Sequence, residues 1–481
     1  MRRALLVAGV AALVTAQGAG AFTPTDPLAS RQWYLTAIRA FDVWPEQPVL
    51  EPVKVAVIDS GIDGGHPEFQ GRIAAAKSFV GGSALTDEQG HGTFIAGEIA
   101  AGLNNAQGIA GIAFTAQLLV AKVVRSDGSI SLDAEAEGIR WATDQGARVI
   151  NLSIGGVRDP ADRSQDTFSQ QEADAVEYAV RAGVVVVAAV GNADQAPATP
   201  WPYASYPAAL PHVLGVGALD RQGDVPDFSD RDPVYVDIVA PGEDILSTFP
   251  RQLTAVRPAC PDQGYSSCGP DEYRFAEGTS FAAPQVSAAA ALLLAIRPDL
   301  RPEQVTALLE HSAADVNATD GCRMCPLLRD RFSGWGRLDV ANAVISLQEG
   351  PLPPTDSREP NDQAGAGADT VWGTAGKIRA TLDFWDDPRD VYRVRLRAGQ
   401  RFTASASGSA NVTPLLVLWK PGTQRVDLRS LQALKARLAL SSGTSEQQSL
   451  AFRAAKTGWY YLEVKTPRAG YGSYVLRLAK R

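Results

Sequence analysis

Short runs rich in Val, Ile and Leu alternate with longer amphipathic segments between residues 53 and 240. Continuous apolar runs are typical of strands that are buried on both faces of a sheet. They predict strands at Val53–Ile58, Leu118–Val124, Arg148–Leu152, Val184–Val190 and Val213–Val216. The amphipathic segments predict helices at His91–Ala101, Leu132–Gln145 and Gln171–Arg181. Because strands that alternate with helices form right-handed crossovers, we expect an α/β fold with a mostly parallel sheet between helices.

Further helices are predicted after this alternating region. An Ala-rich apolar segment predicts a long helix from Phe281 to Ile296, which Pro298 ends. Shorter helices are predicted at Pro302–Ser312 and Leu338–Leu347. Pro302 suits a first helical position, where a missing amide hydrogen costs nothing. The α/β domain is therefore expected to cover residues 22–348.

The pattern changes to period two after a Pro-rich stretch at residues 350–356. In Val391–Arg397, apolar side chains share one face and the arginines the other, which indicates a half-buried strand. Further strands are predicted at Leu415–Trp419, Tyr460–Val464 and Ser473–Leu478. We expect a linker over residues 349–368 and a small all-β sandwich over residues 369–481. Because a Pro-rich linker seldom carries a fixed interface, the sandwich is expected to be dispensable for chemistry in the first domain.

The N-terminal 21 residues have the three parts of a secretory signal peptide. Arg2 and Arg3 precede an apolar run from Ala4 to Val14, and Ala19-Gly20-Ala21 supplies a cleavage site of small residues. The run is too short for a stable membrane anchor, although an uncleaved anchor remains the alternative. The mature chain would begin near Phe22 and work outside the cytoplasm, either secreted or in a periplasm.

Charge and cysteine content narrow the classes of partner and site. The chain has 481 residues, a net charge of −8 and a pI of about 5.2, which argues against nucleic acid or anionic membrane as a partner. Four cysteines in an exported chain suggest two disulfides, for which three pairings exist. Low loop-closure entropy favours Cys260–Cys268 and Cys322–Cys325. Cys322 and Cys325 also resemble half of a metal site, but no second CxxC pair accompanies them.

Four polar residues stand where chemistry is expected in an open α/β sheet. Asp59 and Asn192 follow predicted buried strands, His91 opens a predicted helix between two glycines, and Ser280 begins the long Ala-rich helix. Each has a plain structural alternative: a residue after a strand, a structural histidine, an N-cap serine or a turn residue. Taken together, three of them, Asp59, His91 and Ser280, follow one another along the chain in the order of the subtilisin triad.

The segments around these residues resemble the subtilisin-like (subtilase, peptidase S8) serine proteases. The resemblance rests on these segments: Val55–Asp63, His91-Gly92-Thr93, Ala189-Val190-Gly191-Asn192 and Gly278-Thr279-Ser280. It implies that Ser280 attacks the peptide carbonyl, that His91 transfers the proton and that Asp59 orients His91. It also implies that Asn192 and the Ser280 amide bind the oxyanion.

Two further sites are implied by the same resemblance. Gly128-Ser129-Ile130 and Ser153-Ile154-Gly155-Gly156 resemble the two edges that pair with extended substrate, and the glycines would open the wall of the primary pocket. Glu68 and the loop residues Leu103, Asn105, Gln107 and Ile109 resemble a structural Ca²⁺ site, with a polar turn as the alternative. No cofactor is expected for the chemistry. The segments Glu359–Asp362 and Asp390–Tyr392 resemble a bacterial pre-peptidase C-terminal domain.

The expected function is therefore that of a secreted serine endopeptidase of broad specificity that works through an acyl-enzyme intermediate. Two alternatives stay open: a catalytically inactive relative that serves as a binding module, and a dedicated processing protease with one substrate. Protein or peptide substrates are the expected partners. We expect a monomer without a membrane anchor.

Overall fold

The computed structural model describes residues 21–254, 272–426, 435–442 and 445–481. Almost all of the predicted signal peptide, and both Cys260 and Cys268, lie outside the described residues. Those two predictions stay predictions.

The helices and strands of the α/β domain alternate along the chain, as the hydrophobic pattern predicts. The helices are α1 (Trp33–Ala37), α2 (His91–Ala100), α3 (Leu132–Asp144), α4 (Gln170–Arg181), α5 (Arg251–Thr254), α6 (Ala283–Ile296), α7 (Pro302–His311) and α8 (Val340–Glu349). The strands are β1 (Lys54–Asp59), β2 (Ile73–Ser78), β3 (Gln117–Lys122), β4 (Val149–Leu152), β5 (Val185–Ala189), β6 (Val213–Leu219), β7 (Ile238–Pro241), β8 (Ile245–Thr248) and β9 (Tyr273–Ala276).

Strands β1 to β7 form one parallel sheet in the order β2-β3-β1-β4-β5-β6-β7. Alternate residues of β1 enter opposite cores: Val55 and Val57 pack on one side of the sheet, and Ala56 and Ile58 on the other. Helices α2 and α6 cover the first side, and α3 and α4 the second. The predicted fold class is confirmed, because apolar runs without alternation require burial on both faces.

Two strands of the sheet, β2 and β7, were not predicted, because both give a weak hydrophobic signal. Strand β2 has the sequence IAAAKS and is exposed at alternate positions, so it lacks a continuous apolar run. Strand β7 has four residues and ends in Pro241. Short edge strands that carry small residues or proline give a weak hydrophobic signal.

Helix α6 begins two residues later than predicted, because residues Thr279–Phe281 form a separate 3-10 turn. The segment Thr279–Ile296 is the one candidate membrane span found among the described residues, by length and composition, and 89 % of it is buried inside the protein. It lies between the sheet and helices α2, α7 and α8. Its apolar composition is thus accounted for by its place in the core.

The C-terminal part forms two packed sheets, as predicted. Its strands are β10 (Asp369–Val371), β11 (Ala375–Asp383), β12 (Arg389–Leu396), β13 (Arg401–Gly408), β14 (Leu415–Trp419), β15 (Arg437–Leu440), β16 (Gln447–Arg453), β17 (Gly458–Lys465) and β18 (Tyr471–Lys480). One sheet has the order β10-β12-β17-β14-β15 and the other β11-β18-β13-β16. All pairings are antiparallel except β10 with β12.

Aromatic rings join the two domains, which the linker composition did not indicate. The His311 ring stacks on Tyr471 with 4.4 Å between centroids, and Trp335 meets Trp385 edge-on at 5.2 Å. The guanidinium of Arg329 lies 4.5 Å from the centre of the Trp385 ring. Rings that stack and meet edge-on across an interface favour a fixed arrangement of the domains, although His311 and Tyr471 keep part of their surface exposed.

Carboxyl groups from both domains lie close together at the same interface. One oxygen from each of Asp237, Glu310 and Asp386 lies within 4.8 Å of the others, and Arg329 Nη2 lies 3.2 Å from Asp237 Oδ1. Burial raises the pKa of Asp237 and of Asp386 to about 7, and the pKa of Glu310 well above its usual value. Three carboxyl groups this close cannot all be ionised without electrostatic repulsion. Protonation of one or more of them therefore stabilises the contact between the domains.

A disulfide joins Cys322 and Cys325, whose Cα atoms are 5.4 Å apart. Both cysteines are buried in the core on the α3–α4 side of the sheet. This half of the predicted pairing is present in the structure. The pair is not half of a metal site.

Candidate active site

The carboxyl edge of the parallel sheet brings together residues that are far apart in sequence. Asp59 is the last residue of β1, and Asn192 follows the end of β5 by three residues. His91 is the first residue of α2, and Ser280 lies in the 3-10 turn before α6. Parallel strands place their carboxyl ends on one edge, which is where ligands of such sheets bind.

Asp59 holds the imidazole of His91 with both of its oxygens. His91 Nδ1 lies 2.9 Å from Asp59 Oδ1 and 2.9 Å from Oδ2. Asp59 is 1 % exposed and also accepts a hydrogen bond from the Ser60 amide. Burial lowers the pKa of His91, but the charge and hydrogen bond of Asp59, together with the charge of Asp87, raise it, and the net pKa lies above the usual value. A proton on Nδ1 is thus held by Asp59, which leaves Nε2 as the basic nitrogen.

Glycine beside His91 permits the close approach of two backbones. A Cβ on Gly92 would collide with the carbonyl oxygen of Gly61 and would press on Asp59. At Gly90 the backbone φ is +97° and the ring of Phe249 occupies the space a Cβ would need. A larger residue in place of Gly92 would push α2 away from the end of β1 and separate His91 from Asp59.

Asp87 fastens the start of α2, and the sequence did not single it out. Its Oδ1 accepts hydrogen bonds from Ser60 Oγ and from the amides of Gln89 and Gly90. Its Oδ2 accepts from the amide and the hydroxyl of Thr93, at 2.8 and 2.6 Å. The side chain is fully buried. Asp87 thus ties the turn that precedes His91 to the loop that follows Asp59. An acidic residue four positions before the histidine was its only signal.

Ser280 and Ser153 are joined by two hydrogen bonds. Ser280 Oγ lies 3.0 Å from the Ser153 carbonyl oxygen, and Ser153 Oγ donates to the Ser280 carbonyl oxygen at 2.7 Å. The ring of the next residue, Phe281, lies 5.5 Å from the His91 ring, so the turn sits beside the imidazole. The N-cap alternative for Ser280 is wrong, because the residue lies inside a 3-10 turn and its hydroxyl does not cap α6.

Asn192 is oriented by its contacts with Thr279. Asn192 Oδ1 accepts hydrogen bonds from the amide and the hydroxyl of Thr279, both at 3.0 Å. Because an amide N–H can only donate, the atom that faces it must be the oxygen of Asn192. The NH₂ group is thereby turned away from Thr279. A donor held in this way can serve an oxyanion near Ser280.

The two predicted substrate edges differ in exposure. Gly128 and Ser129 are exposed and lie in a turn that Val124 and Ile130 close by an antiparallel bridge. On the other edge Ser153 is buried, and Ile154, Gly155 and Gly156 are half-buried. Both segments follow strands of the sheet, β3 and β4, at its carboxyl edge.

The glycines of the second edge are required by packing. A Cβ on Gly155 would collide with the Tyr206 carbonyl oxygen, and one on Gly156 with the Thr167 hydroxyl. Gly156 also exchanges two backbone hydrogen bonds with Tyr206, each of 2.9 Å. Packing against residues 167 and 206 thus explains both glycines, and their expected role in opening a pocket stays a prediction.

The donors around Glu68 do not fit a Ca²⁺ ion. Glu68 Oε1 accepts from the Ile109 amide and the Tyr273 hydroxyl, each at 3.0 Å, and Oε2 accepts from Asn105 Nδ2 at 2.8 Å. Asn105 Oδ1 accepts from the Gln107 amide, so the NH₂ group and not the oxygen faces Glu68. Ca²⁺ takes oxygen ligands, whereas hydrogen-bond donors fill this carboxylate.

Tyr273 is the residue that the sequence did not connect with this loop. Its ring lies against Gly108, where a Cβ would collide with it, and next to His66 at 5.5 Å between centroids. Burial raises the pKa of Glu68, and the three donors oppose that shift. A carboxyl held by N–H and O–H groups can brace the loop by itself. The predicted contribution of Leu103 as a calcium ligand therefore has no support from the donor set.

Comparison with known proteins gives consistent matches. A model described as the subtilase family matches residues 51–336. Thermitase of Thermoactinomyces vulgaris is 34 % identical over 301 residues, which is 62 % of this chain and 94 % of thermitase. Subtilisin DY of Bacillus licheniformis is 36 % identical over 265 residues, 55 % of this chain and 84 % of that protein.

Two other matches cover about two thirds of this chain and differ in how much of the other protein they cover. Fervidolysin of Fervidobacterium pennivorans is 32 % identical over 343 residues, 68 % of this chain but 45 % of fervidolysin. A solved structure described as proteases from Pseudoalteromonas arctica PAMC 21717 is 26 % identical with a TM-score of 0.54, and the match covers 68 % of this chain and all of that one. The region matched by the family model contains Asp59, His91, Asn192 and Ser280.

Proposed function

This chain belongs to the subtilase family of serine endopeptidases, and from that premise we propose that Asp59, His91 and Ser280 are its catalytic triad. One observation supports the proposal most strongly. His91 Nδ1 lies 2.9 Å from both oxygens of a buried carboxylate, beside the turn that carries Ser280. A histidine held in this way presents Nε2 as a general base.

The reaction follows from these positions. Ser280 Oγ attacks the peptide carbonyl carbon while its proton passes to His91 Nε2. The imidazolium then protonates the leaving amine, the C–N bond breaks, and an acyl-enzyme remains on Ser280. Water, deprotonated by His91, then attacks the acyl carbon, the ester bond to Ser280 Oγ breaks, and His91 returns the proton to Ser280 Oγ as the second product leaves. Asp59 stabilises the imidazolium during both transfers, in keeping with the raised pKa of His91.

The oxyanion would be held by the Asn192 NH₂ group and the Ser280 amide. Thr279 supports this role, because it engages the oxygen of the Asn192 side chain and leaves the NH₂ group for another acceptor. Thr279 and Phe281 are buried and Ser280 and Asn192 are half-buried, so water competes weakly for these donors.

Extended substrate would lie between the two edges, residues 128–130 and 153–156. Pairing of this kind reads main chain more than side chain, which supports broad specificity. The basic and apolar N-terminal residues and the small residues before Phe22 support export from the cytoplasm, with residues 349–368 as a linker to the β-sandwich.

Substitution of the nucleophile tests the triad. Ser280→Ala is expected to lower kcat by about four to six orders of magnitude in a folded protein, as triad losses generally do. Wild type should react with a fluorophosphonate probe, and Ser280→Ala should not. Retention of more than about a hundredth of the wild-type kcat by the variant would show that another group is the nucleophile.

Specificity needs its own measurement. A peptide-library cleavage profile of the wild-type enzyme, with Ser280→Ala as the blank, is expected to contain many unrelated sites. Cleavage at one sequence alone would instead identify a dedicated processing protease. No labelling and no cleavage in the wild type would favour an inactive binding module.

A further inference from the structure

We propose that Ser287 and Asn151 are positioning residues that hold the reactive serine through a buried chain of hydrogen bonds. The chain runs from the second turn of α6, through the end of β4, back to the turn that carries Ser280. The inference rests on the proposed function, because its effect is exerted on the nucleophile.

Three hydrogen bonds make up the chain. Ser287 Oγ donates to Asn151 Oδ1 at 2.8 Å, and Asn151 Nδ2 donates to Ser153 Oγ at 2.9 Å. Ser153 Oγ donates to the carbonyl oxygen of Ser280 at 2.7 Å. Ser287 and Asn151 are 0 % exposed and Ser153 is 3 % exposed, so water does not compete for these groups.

The last acceptor fixes the direction of every bond. A carbonyl oxygen can only accept, so the Ser153 hydroxyl must give its hydrogen to Ser280. Ser153 Oγ must then accept from Asn151, which requires the NH₂ end of the amide. The oxygen end is left facing Ser287, whose hydroxyl must donate. The chemistry of the groups therefore sets the order of donors and acceptors along the chain.

The chain completes a brace on both sides of Ser280. On the N-terminal side, Asn192 Oδ1 holds the amide and hydroxyl of Thr279. On the C-terminal side, Ser153 holds the carbonyl of Ser280 itself. With the flanking peptide groups fixed, the direction of the Cα–Cβ bond of Ser280 is fixed as well. The amide that would serve the oxyanion is fixed with it.

Asn151 anchors this brace to the central strands of the parallel sheet. It lies in β4, in register with Val57 of β1 and Val187 of β5. Ser153, two residues later, begins the predicted substrate edge. The hydrogen bonds thus hold the nucleophile at a fixed position relative to the central strands and to the segment that would bind the substrate. Small displacements of a reacting group are costly, about a hundredfold in rate for 1 Å.

A structural role alone would predict a different outcome. Buried hydroxyls and amides need partners, so loss of Ser287 would then lower stability and leave turnover per folded molecule unchanged. A positioning role lowers kcat and leaves KM nearly unchanged, because substrate binding does not depend on the exact direction of Oγ. The ratio of the two effects separates the roles.

The experiment is a double-mutant cycle in the full chain. Ser287→Ala suits an Ala-rich helix, Ser153→Ala removes the last donor, and the double variant combines them. The control is Ser312→Ala, which removes another buried hydroxyl, one that donates to the Leu308 carbonyl at the end of α7. Active sites are counted with a fluorophosphonate, kcat and KM are measured on one peptide, and Tm is recorded for each protein.

We expect kcat to fall about tenfold in Ser287→Ala and about 10–100-fold in Ser153→Ala, with KM within about twofold of wild type. The double variant should match Ser153→Ala within about twofold, because one chain can be broken only once. Ser312→Ala should keep the wild-type kcat.

Three results would overturn the proposal. If Ser287→Ala keeps the wild-type kcat per titrated site, or if the two losses multiply in the double variant, the chain does not act on Ser280. The triad would stand in that case, provided that Ser280→Ala is inactive. If Ser280→Ala stays active, the proposed nucleophile is wrong and the positioning role falls with it.

Discussion

The side-chain amide of Asn192 offers the sharpest test of the oxyanion site, because its two ends do different work. The oxygen holds the Thr279 amide and hydroxyl at 3.0 Å each, and the NH₂ group is left for the oxyanion. Asn192→Ala removes both functions. Asn192→Asp keeps an oxygen for Thr279 and replaces the donor by an acceptor. Thr279→Val removes one of the two anchoring bonds and leaves the donor in place.

The expected losses follow from these contacts. Removal of one oxyanion donor costs about 2.7–4 kcal/mol in the transition state, so Asn192→Ala should lower kcat about 10²–10³-fold. Asn192→Asp should lose more, because a carboxylate oxygen would repel the developing negative charge. Thr279→Val should lose about two- to tenfold, since one neutral hydrogen bond contributes about 0.5–1.5 kcal/mol.

Steady-state kinetics on one peptide substrate, normalised to titrated active sites, decide the matter. KM should stay within about threefold of wild type in all three variants, because the oxyanion forms only after binding. A change confined to KM would refute the assigned role. An Asn192→Asp variant as active as wild type would show that the NH₂ group does not face the reacting carbonyl.

Three further results are expected. Peroxide treatment should leave the activity of wild type largely intact and lower that of Phe281→Met, because Phe281 has no sulfur to oxidise. The exposed Met324 is the only methionine after the predicted signal peptide. Equal loss of activity in both proteins would implicate Met324. Thermal stability should fall as pH rises toward and through about 7, because Asp237 and Asp386 bind protons in the folded state that the unfolded chain has released. Asp386→Asn should make Tm less dependent on pH. A Tm of this variant that changes with pH as steeply as that of wild type would contradict the explanation. Removal of Ca²⁺ by a chelator should lower Tm no more in wild type than in Glu68→Gln, and a larger loss in wild type would restore the calcium site.

The sequence by itself determined the fold class and most element positions of the α/β domain. Runs of Val, Ile and Leu can be buried on both faces only in a covered parallel sheet, and β1, β3, β4, β5 and β6 lie where those runs predict them. The candidate triad was also predicted, because the segments around Asp59, His91 and Ser280 resemble those of a known family and stand in its chain order. Period-two alternation predicted the sandwich in the same way.

Only the tertiary structure decided which polar groups meet. Asp87 and Ser287 are ordinary in sequence, and their importance comes from partners 27 and 136 positions away. Tyr273 reaches Glu68 across 205 positions and supplies a donor where a metal ion was expected. A hydrogen bond depends on distance and direction between two groups, and neither is encoded in the type of residue at one position.

The contact between the domains shows the same limit. A Pro-rich linker predicts its own extended backbone, but it does not predict which surfaces it allows to meet. His311 and Trp335 of the first domain and Tyr471 and Trp385 of the second lie in four segments that are far apart in sequence. Their packing, and the raised pKa of the carboxyl groups beside them, arise only when folding excludes water from between the two surfaces.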